Sequence, residues 1–209
     1  MRKADWYFDF VSPFAYLAWM RLRELPADVQ VQYRPLLFAG VLNHWGQKGP
    51  AEMPTKRAWI YRWCTWLAAE QGIPFRFPAV HPFNPLQYLR LAIAANREAE
   101  AIDAIFKAIW TTGADPGDDG VLRGLLESLH IEASQLGTPE VKAALRSATD
   151  SAVQGGIFGV PTLVIDGELF WGADGMELAK AYLADPGVMR TAEMQRVAGL
   201  PVGAVRKPV

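Results

Sequence analysis

The stretch Tyr7-Phe8-Asp9-Phe10-Val11-Ser12-Pro13-Phe14-Ala15-Tyr16 constrains the fold more than any other part of this chain. An apolar run ends in a Ser-Pro step and a helical pattern begins at once, with Phe14, Leu17, Ala18, Leu22 and Leu25 at helical spacing. Proline is at home in the first turn of a helix, and serine at its N-cap. Ser12 is therefore predicted where a strand hands over to a helix N-terminus. Unpaired backbone N–H groups and the helix dipole favour an anion at such a place. A capping serine asks for no chemistry, so the junction by itself defines structure only.

The rest of the chain extends this start. The pattern predicts a strand from about Asp5 to Phe10, a helix from about Pro13 to Leu25 and a second strand from Val29 to Leu37. Near the other end come a Thr162–Ile165 strand, an Asp166-Gly167 hairpin turn, a Leu169–Trp171 strand and a helix from about Asp174 to Leu183. Asp174 and Glu177 fit a capping arrangement for that helix, and Asp185-Pro186-Gly187 stops it. Between the halves, helical periodicity covers Thr55–Gln71, Pro85–Asn96, Glu98–Thr111, Gly120–Leu129 and Pro139–Gln154. Pro74, Pro78, Pro82 and Pro85 mark an irregular connector, Ile73 to Asn84. A β-α-β unit, a block of helices and a β-β-α unit make an α/β chain of thioredoxin-like layout with a large helical insertion. The expected division is residues 1–40 with 157–185 for the thioredoxin-like part, 41–156 for the insertion and 186–209 for a Pro/Gly-interrupted C-terminal tail.

Composition removes several classes of function. A net charge of −1 gives no electrostatic reason to expect nucleic acid or an anionic membrane as partner. No apolar run reaches the roughly 18 residues that span a bilayer. Strand-like sequence follows Met1-Arg2-Lys3 directly, with no signal-peptide pattern. The single cysteine, Cys64, rules out an internal disulfide and is expected to pack as a small hydrophobe. These features lead to the expectation of a reducing, cytoplasmic setting. His44, His81 and His130 have no ligand spacing, so no metal is expected.

A second signature is Phe158-Gly159-Val160-Pro161-Thr162, a proline directly before a β-branched strand. In a thioredoxin-type fold a cis-proline loop faces the N-terminus of the first helix and offers backbone groups to a bound peptide; proline makes the cis bond accessible. With serine at position 12 and Ala15 where a second motif cysteine would stand, a disulfide oxidoreductase is excluded, and the reactive thiol must come from outside the protein.

Six segments in order carry a family resemblance: Phe8-Asp9-Phe10-Val11-Ser12-Pro13-Phe14, Arg34-Pro35-Leu36-Leu37-Phe38-Ala39-Gly40, Gly46-Gln47-Lys48-Gly49-Pro50-Ala51, Pro54-Thr55-Lys56, Phe158-Gly159-Val160-Pro161-Thr162 and Phe170-Trp171-Gly172-Ala173-Asp174. The chain resembles the 2-hydroxychromene-2-carboxylate isomerases, a DsbA-like branch of the thioredoxin fold related to kappa-class glutathione transferases. The resemblance implies glutathione as cosubstrate, its sulfur beside Ser12, which would stabilise the thiolate. It implies further glutathione contacts from Gln47, Lys56, Val160 and Pro161, with Ala173 and Asp174 at the γ-glutamyl end. It also implies an aromatic small-molecule substrate and a homodimer.

Candidate substrate residues are Asn43, His44 and Trp45, placed in a loop before Gln47, and His81 and Phe83 in the proline-rich connector. Leu42 and Glu52 stand where the isomerase pattern has a lysine and an asparagine, which leaves the exact substrate open. Trp59, Trp63 and Trp66 share one helix face, a spacing that points first to core. The leading expectation is a glutathione-dependent isomerase converting 2-hydroxychromene-2-carboxylate, or a related aromatic 2-oxoacid, to the trans-o-hydroxybenzylidenepyruvate type of product. The alternatives are a kappa-type glutathione transferase or peroxidase, and a non-catalytic thiol-binding module.

Overall fold

Ala4, Trp6 and Phe8 alternate along the first strand and are essentially fully buried, which makes this strand the spine of the sheet. A computed structural model of the protein, describing residues 1–204, places it as β1 (Arg2–Phe8) in the middle of a four-stranded sheet. Its neighbours are β2 (Val29–Pro35), parallel, and β3 (Thr162–Ile165), antiparallel; β4 (Glu168–Trp171) completes the order β2-β1-β3-β4. A parallel neighbour requires a crossover. Helix α1 (Pro13–Arg21), extended by a 3₁₀ turn over Leu22–Glu24, supplies it. The β3–β4 hairpin turns through Asp166 and Gly167 at φ 52° and 88°, the double left-handed geometry that Asp-Gly sequences favour.

Six helices lie between β2 and β3: α2 (Phe38–Trp45), α3 (Pro54–Glu70), α4 (Leu86–Ala94), α5 (Ala99–Trp110), α6 (Asp119–Ser128) and α7 (Pro139–Gln154). After β4 come α8 (Gly175–Ala184) and α9 (Ala192–Ala198). The sheet is packed on both sides. On one, Trp6, Phe8 and Phe10 form an aromatic column, with ring centroids 4.3 and 5.3 Å apart, that meets Phe106 of α5. On the other, Leu36, Val41, Ala152, Ile157 and Val160 cluster with Tyr7 and Val164.

Three expectations are corrected, and the content of the C-terminal segment is added to a fourth. Residues 38–45 are a helix, not a loop: Phe38, Val41, Leu42 and Trp45 have helical spacing, and Gly46 at φ 62° closes it. Asp174 does not cap α8 through its side chain, because its backbone is already helical and Glu177 is drawn to Arg21 and Lys180. The C-terminal segment contains a 3₁₀ turn capped by Asp185 and the helix α9 capped by Thr191; residues 205–209 of the expected tail lie outside the described residues. Finally, α3 buries Ile60, Cys64 and Ala68, while Trp59, Trp63 and Trp66 are 60, 37 and 52% exposed. The three indoles stack on one another along the outer face, with successive centroids 5.6 and 5.1 Å apart. Single-face spacing identified a stripe correctly, but it does not say which way the stripe points.

Candidate active site

Ser12 caps α1: its Oγ accepts from the Ala15 N–H at 3.2 Å, and its own N–H closes a turn onto the Asp9 carbonyl at 3.1 Å. Pro13 follows at the first helical position and removes one orphan donor. Val11, immediately before Ser12, is held from both sides. Its N–H donates to Asp9 Oδ1 at 3.0 Å, and its carbonyl lies 2.8 Å from His81 Nε2. A carbonyl can only accept, so Nε2 carries the proton. The Tyr61 hydroxyl lies 2.6 Å from His81 Nδ1 and 2.8 Å from the His81 carbonyl. Both ring nitrogens of His81 are thus engaged within the protein, and burial holds its pKa below the usual histidine value.

Asp9 is the buried carboxylate of this region. Its Oδ1 bonds Val11 and its Oδ2 accepts from the Phe38 N–H at 2.9 Å, so one carboxylate serves the α1 loop and the first turn of α2. The Leu37 cap of α2 offers no side-chain acceptor of its own, and Thr149 Oγ1 accepts the Leu37 N–H at 3.0 Å. Burial pushes the Asp9 carboxyl up to about 7, against the pull of its two backbone N–H bonds.

A cleft of about 590 Å³ opens over these residues. Of the expected site residues, Ser12, Gln47, Lys56, Val160, His81 and Phe83 line it. The Val160–Pro161 peptide is cis. Among the described residues, neither the N–H nor the carbonyl of Val160 is paired with another backbone group, although the residue is buried against the cleft. Gly172 N–H donates to the Pro161 carbonyl at 2.8 Å, which brings the Ala173-Asp174 turn beside the proline, outside the lining itself.

Asn43, His44 and Trp45 do not line the cleft. They end α2, where the Asn43 carbonyl receives the capping N–H of Gly46 and Trp45 Nε1 donates to the Ile157 carbonyl at 2.9 Å. Their helical placement removes the loop geometry that made them candidates.

Several lining residues are not among the expected site residues. Phe14, Phe38, Trp59, Phe158 and Trp171 give the cleft aromatic walls, and Lys48 and Glu52 share its rim with Lys56. Trp171 packs on Phe158 edge-to-face, centroids 5.2 Å apart, and covers Gly159 so closely that a Cβ there would lie 2.5 Å from Nε1. Trp171 lay within a recognised segment, but the alternation of a short edge strand does not reveal which side faces a cavity. The burial of Asp9 was likewise invisible, since acidic residues are rarely fully buried.

Cys64 is buried on α3, outside the cleft lining, and burial pushes its thiol up to about 12. Among the described residues no group of three or more His, Cys, Asp or Glu side chains is arranged to hold a metal ion, and no helix is long and apolar enough to cross a membrane.

Residues 3–184 match the DSBA-like thioredoxin domain. A 2-hydroxychromene-2-carboxylate isomerase of Sphingobium xenophagum is 32% identical over 194 residues, covering 87% of this chain and 97% of the relative. Human glutathione S-transferase kappa 1 is 25% identical, covering 88% of this chain and 92% of its own. A solved structure of a 2-hydroxychromene-2-carboxylate isomerase superposes with a TM-score of 0.78 at 24% identity, covering 92% of this chain and 98% of that one. The chain belongs to the 2-hydroxychromene-2-carboxylate isomerase family of DsbA-like thioredoxin-fold proteins.

Proposed function

We propose that the protein is a glutathione-dependent isomerase of an aromatic 2-oxoacid such as 2-hydroxychromene-2-carboxylate, with Ser12 stabilising the glutathione thiolate. The carrying observation is that Ser12, at the start of α1, and Val160, with its backbone groups unpaired, border one aromatic-walled cleft. The residues suit the tripeptide. An extended peptide can add to the free backbone edge of Val160 as to a sheet edge. A sulfur beside Ser12 would meet a hydroxyl and a helix N-terminus, both of which favour its anion. Asp174, two residues past the Gly172 that bonds the Pro161 carbonyl, would face the ammonium end, and Gln47 and Lys56 the rest of the peptide.

Bound glutathione supplies a thiol that adds reversibly to a conjugated system and is regenerated, so the net change is an isomerisation. The protein's part is to hold the hydroxyl of Ser12 toward the sulfur, offer the aromatic walls of Phe38, Trp59 and Trp171 to the ring of the substrate, and attract a substrate carboxylate with Lys48 or Lys56. Cys64 is too deeply buried to compete as nucleophile, which agrees with a thiol brought from outside. The proposal includes the homodimer implied by family membership, to be checked by sedimentation.

The test is incubation with a chromene carboxylate with and without glutathione. Rearranged substrate with glutathione recovered unchanged supports the isomerase. A stable conjugate or hydroperoxide reduction instead makes the protein a transferase or peroxidase like its kappa-class relative. Turnover equally fast without glutathione contradicts the reading.

A further inference from the structure

Asp9 has no part in the function just proposed, yet among the described residues it is the one carboxylate buried beneath the cleft. Its surroundings are neutral. Both oxygens are bonded by backbone N–H groups, of Val11 and Phe38, and among the described residues neither is paired with a lysine or arginine. The charged and titratable groups that border the same cleft are Lys48 and Glu52 of the 47–52 loop, Lys56 of α3 and His81 of the proline-rich connector. His81 is kept neutral by burial, and its nitrogens are spent on Val11 and Tyr61. Asp9 is separated from Ser12 by a single turn: Ser12 N–H bonds the Asp9 carbonyl, and Asp9 Oδ1 bonds the residue that directly precedes Ser12. A thiolate at Ser12 would therefore bring a second negative charge to the same cleft lining as a buried carboxylate one backbone turn away. Two like charges in one desolvated site do not both ionise; they titrate as a pair.

We propose that Asp9 is the counter-titrating group of the Ser12 site, taking up one proton when a thiolate comes to rest at Ser12 and losing it when the thiolate leaves. The proposal rests on the glutathione reading above. The proton balance closes without an outside partner: a thiol and an ionised Asp9 become a thiolate and a protonated Asp9, and no proton reaches bulk solvent. Each oxygen of Asp9 accepts only one N–H in the structure, so a lone pair remains for the proton without loss of either bond. The carboxyl is raised to about 7, so it is ionised above neutrality and ready to accept. The floor of the cleft then carries one negative charge in the free and in the thiolate-bound state.

The experiment is calorimetric titration of glutathione at about pH 8, in buffers of different ionisation enthalpy, into the unmodified protein and into Asp9→Asn. The unmodified protein is expected to bind with close to no net proton release, and Asp9→Asn to release roughly one proton per site as the thiol ionises into solvent. Should Asp9→Asn fail to fold, infrared difference spectra of the unmodified protein give the same answer. A protonated-carboxyl band must rise on addition of glutathione, and must be missing with S-methylglutathione, which cannot ionise. A thiolate absorbance band with equal proton release from both proteins, or with no carboxyl band, overturns the role of Asp9 alone. Absence of a thiolate band in the unmodified protein overturns the glutathione reading and this role together.

Discussion

Trp110 Nε1, at the end of α5, donates to the carbonyl of Phe10 at 3.0 Å, and both residues are fully buried. This bond fastens the helical segment to the strand end that leads into Ser12. The indole also stacks on Phe75 and meets the edges of Phe77 and His81, so the same side chain braces the wall of the connector. The position of Ser12 is therefore set partly by a helix nearly a hundred residues downstream in sequence.

Trp110→Phe keeps an aromatic ring but leaves the Phe10 carbonyl unpaired in the core. An unsatisfied buried acceptor costs about 1–3 kcal/mol, and the lost ring volume adds to this. Urea denaturation should show a loss of at least about 1 kcal/mol. A loss of only a few tenths would mean the bond does not hold the loop.

Gly159→Ala tests the packing of Trp171. The new Cβ would lie 2.5 Å from the indole nitrogen, so the ring must swing or the loop must move. Overpacking of this kind costs about 1–3 kcal/mol, and the displaced wall should weaken binding of an aromatic ligand. Unchanged affinity, measured by tryptophan fluorescence, would show that Trp171 is not part of the binding surface.

Asp9 makes a signed prediction about pH and stability. Its carboxyl lies at about 7 in the fold, above its ordinary value of 3.8, so the folded chain holds the proton more tightly than the unfolded one. The contribution is complete below about pH 4 and is lost as the pH rises through about 7. The denaturation free energy of the unmodified protein minus that of Asp9→Asn should accordingly fall across that interval. A flat difference would place Asp9 in a far more polar setting than its burial implies.

Cys64 should behave as an inert thiol. Buried on α3 and pushed up to about 12, it presents little thiolate at neutral pH. Native protein treated with iodoacetamide should stay unmodified, and label fully once unfolded. Rapid native labelling would put a reactive internal thiol in competition with an external one.

The fold was largely legible because its ends carry strong local signals. Ser12-Pro13 marks the strand-to-helix step, Asp166-Gly167 dictates a left-handed turn, and apolar alternation through Trp6 and Phe8 marks the central strand. Helix α2 is hard to see in sequence because Gly40 and Asn43 weaken an otherwise clear spacing; burial of Val41 against α7 and a cap from distant Asp9 make good the deficit. The direction of the tryptophan face of α3 is not legible in sequence, because periodicity gives an angle and no reference direction. In the cleft, Ser12, Gln47, Lys56 and Val160 could be anticipated from short segments. Asp9 and Trp171 could not, since their roles depend on what distant elements bring against them.

The central claim is that Ser12 ionises a glutathione thiol. Its most direct test is the ultraviolet absorbance of glutathione bound to the unmodified protein and to Ser12→Ala, from about pH 5 to about pH 9. Loss of the cap costs roughly 0.5–2 kcal/mol, which most domains withstand, so the variant should remain folded for comparison. The account predicts a thiolate band that appears at lower pH on the unmodified protein than in free glutathione and returns toward the free value in Ser12→Ala. Binding with an unshifted thiol, or a shift that survives the substitution, would contradict it.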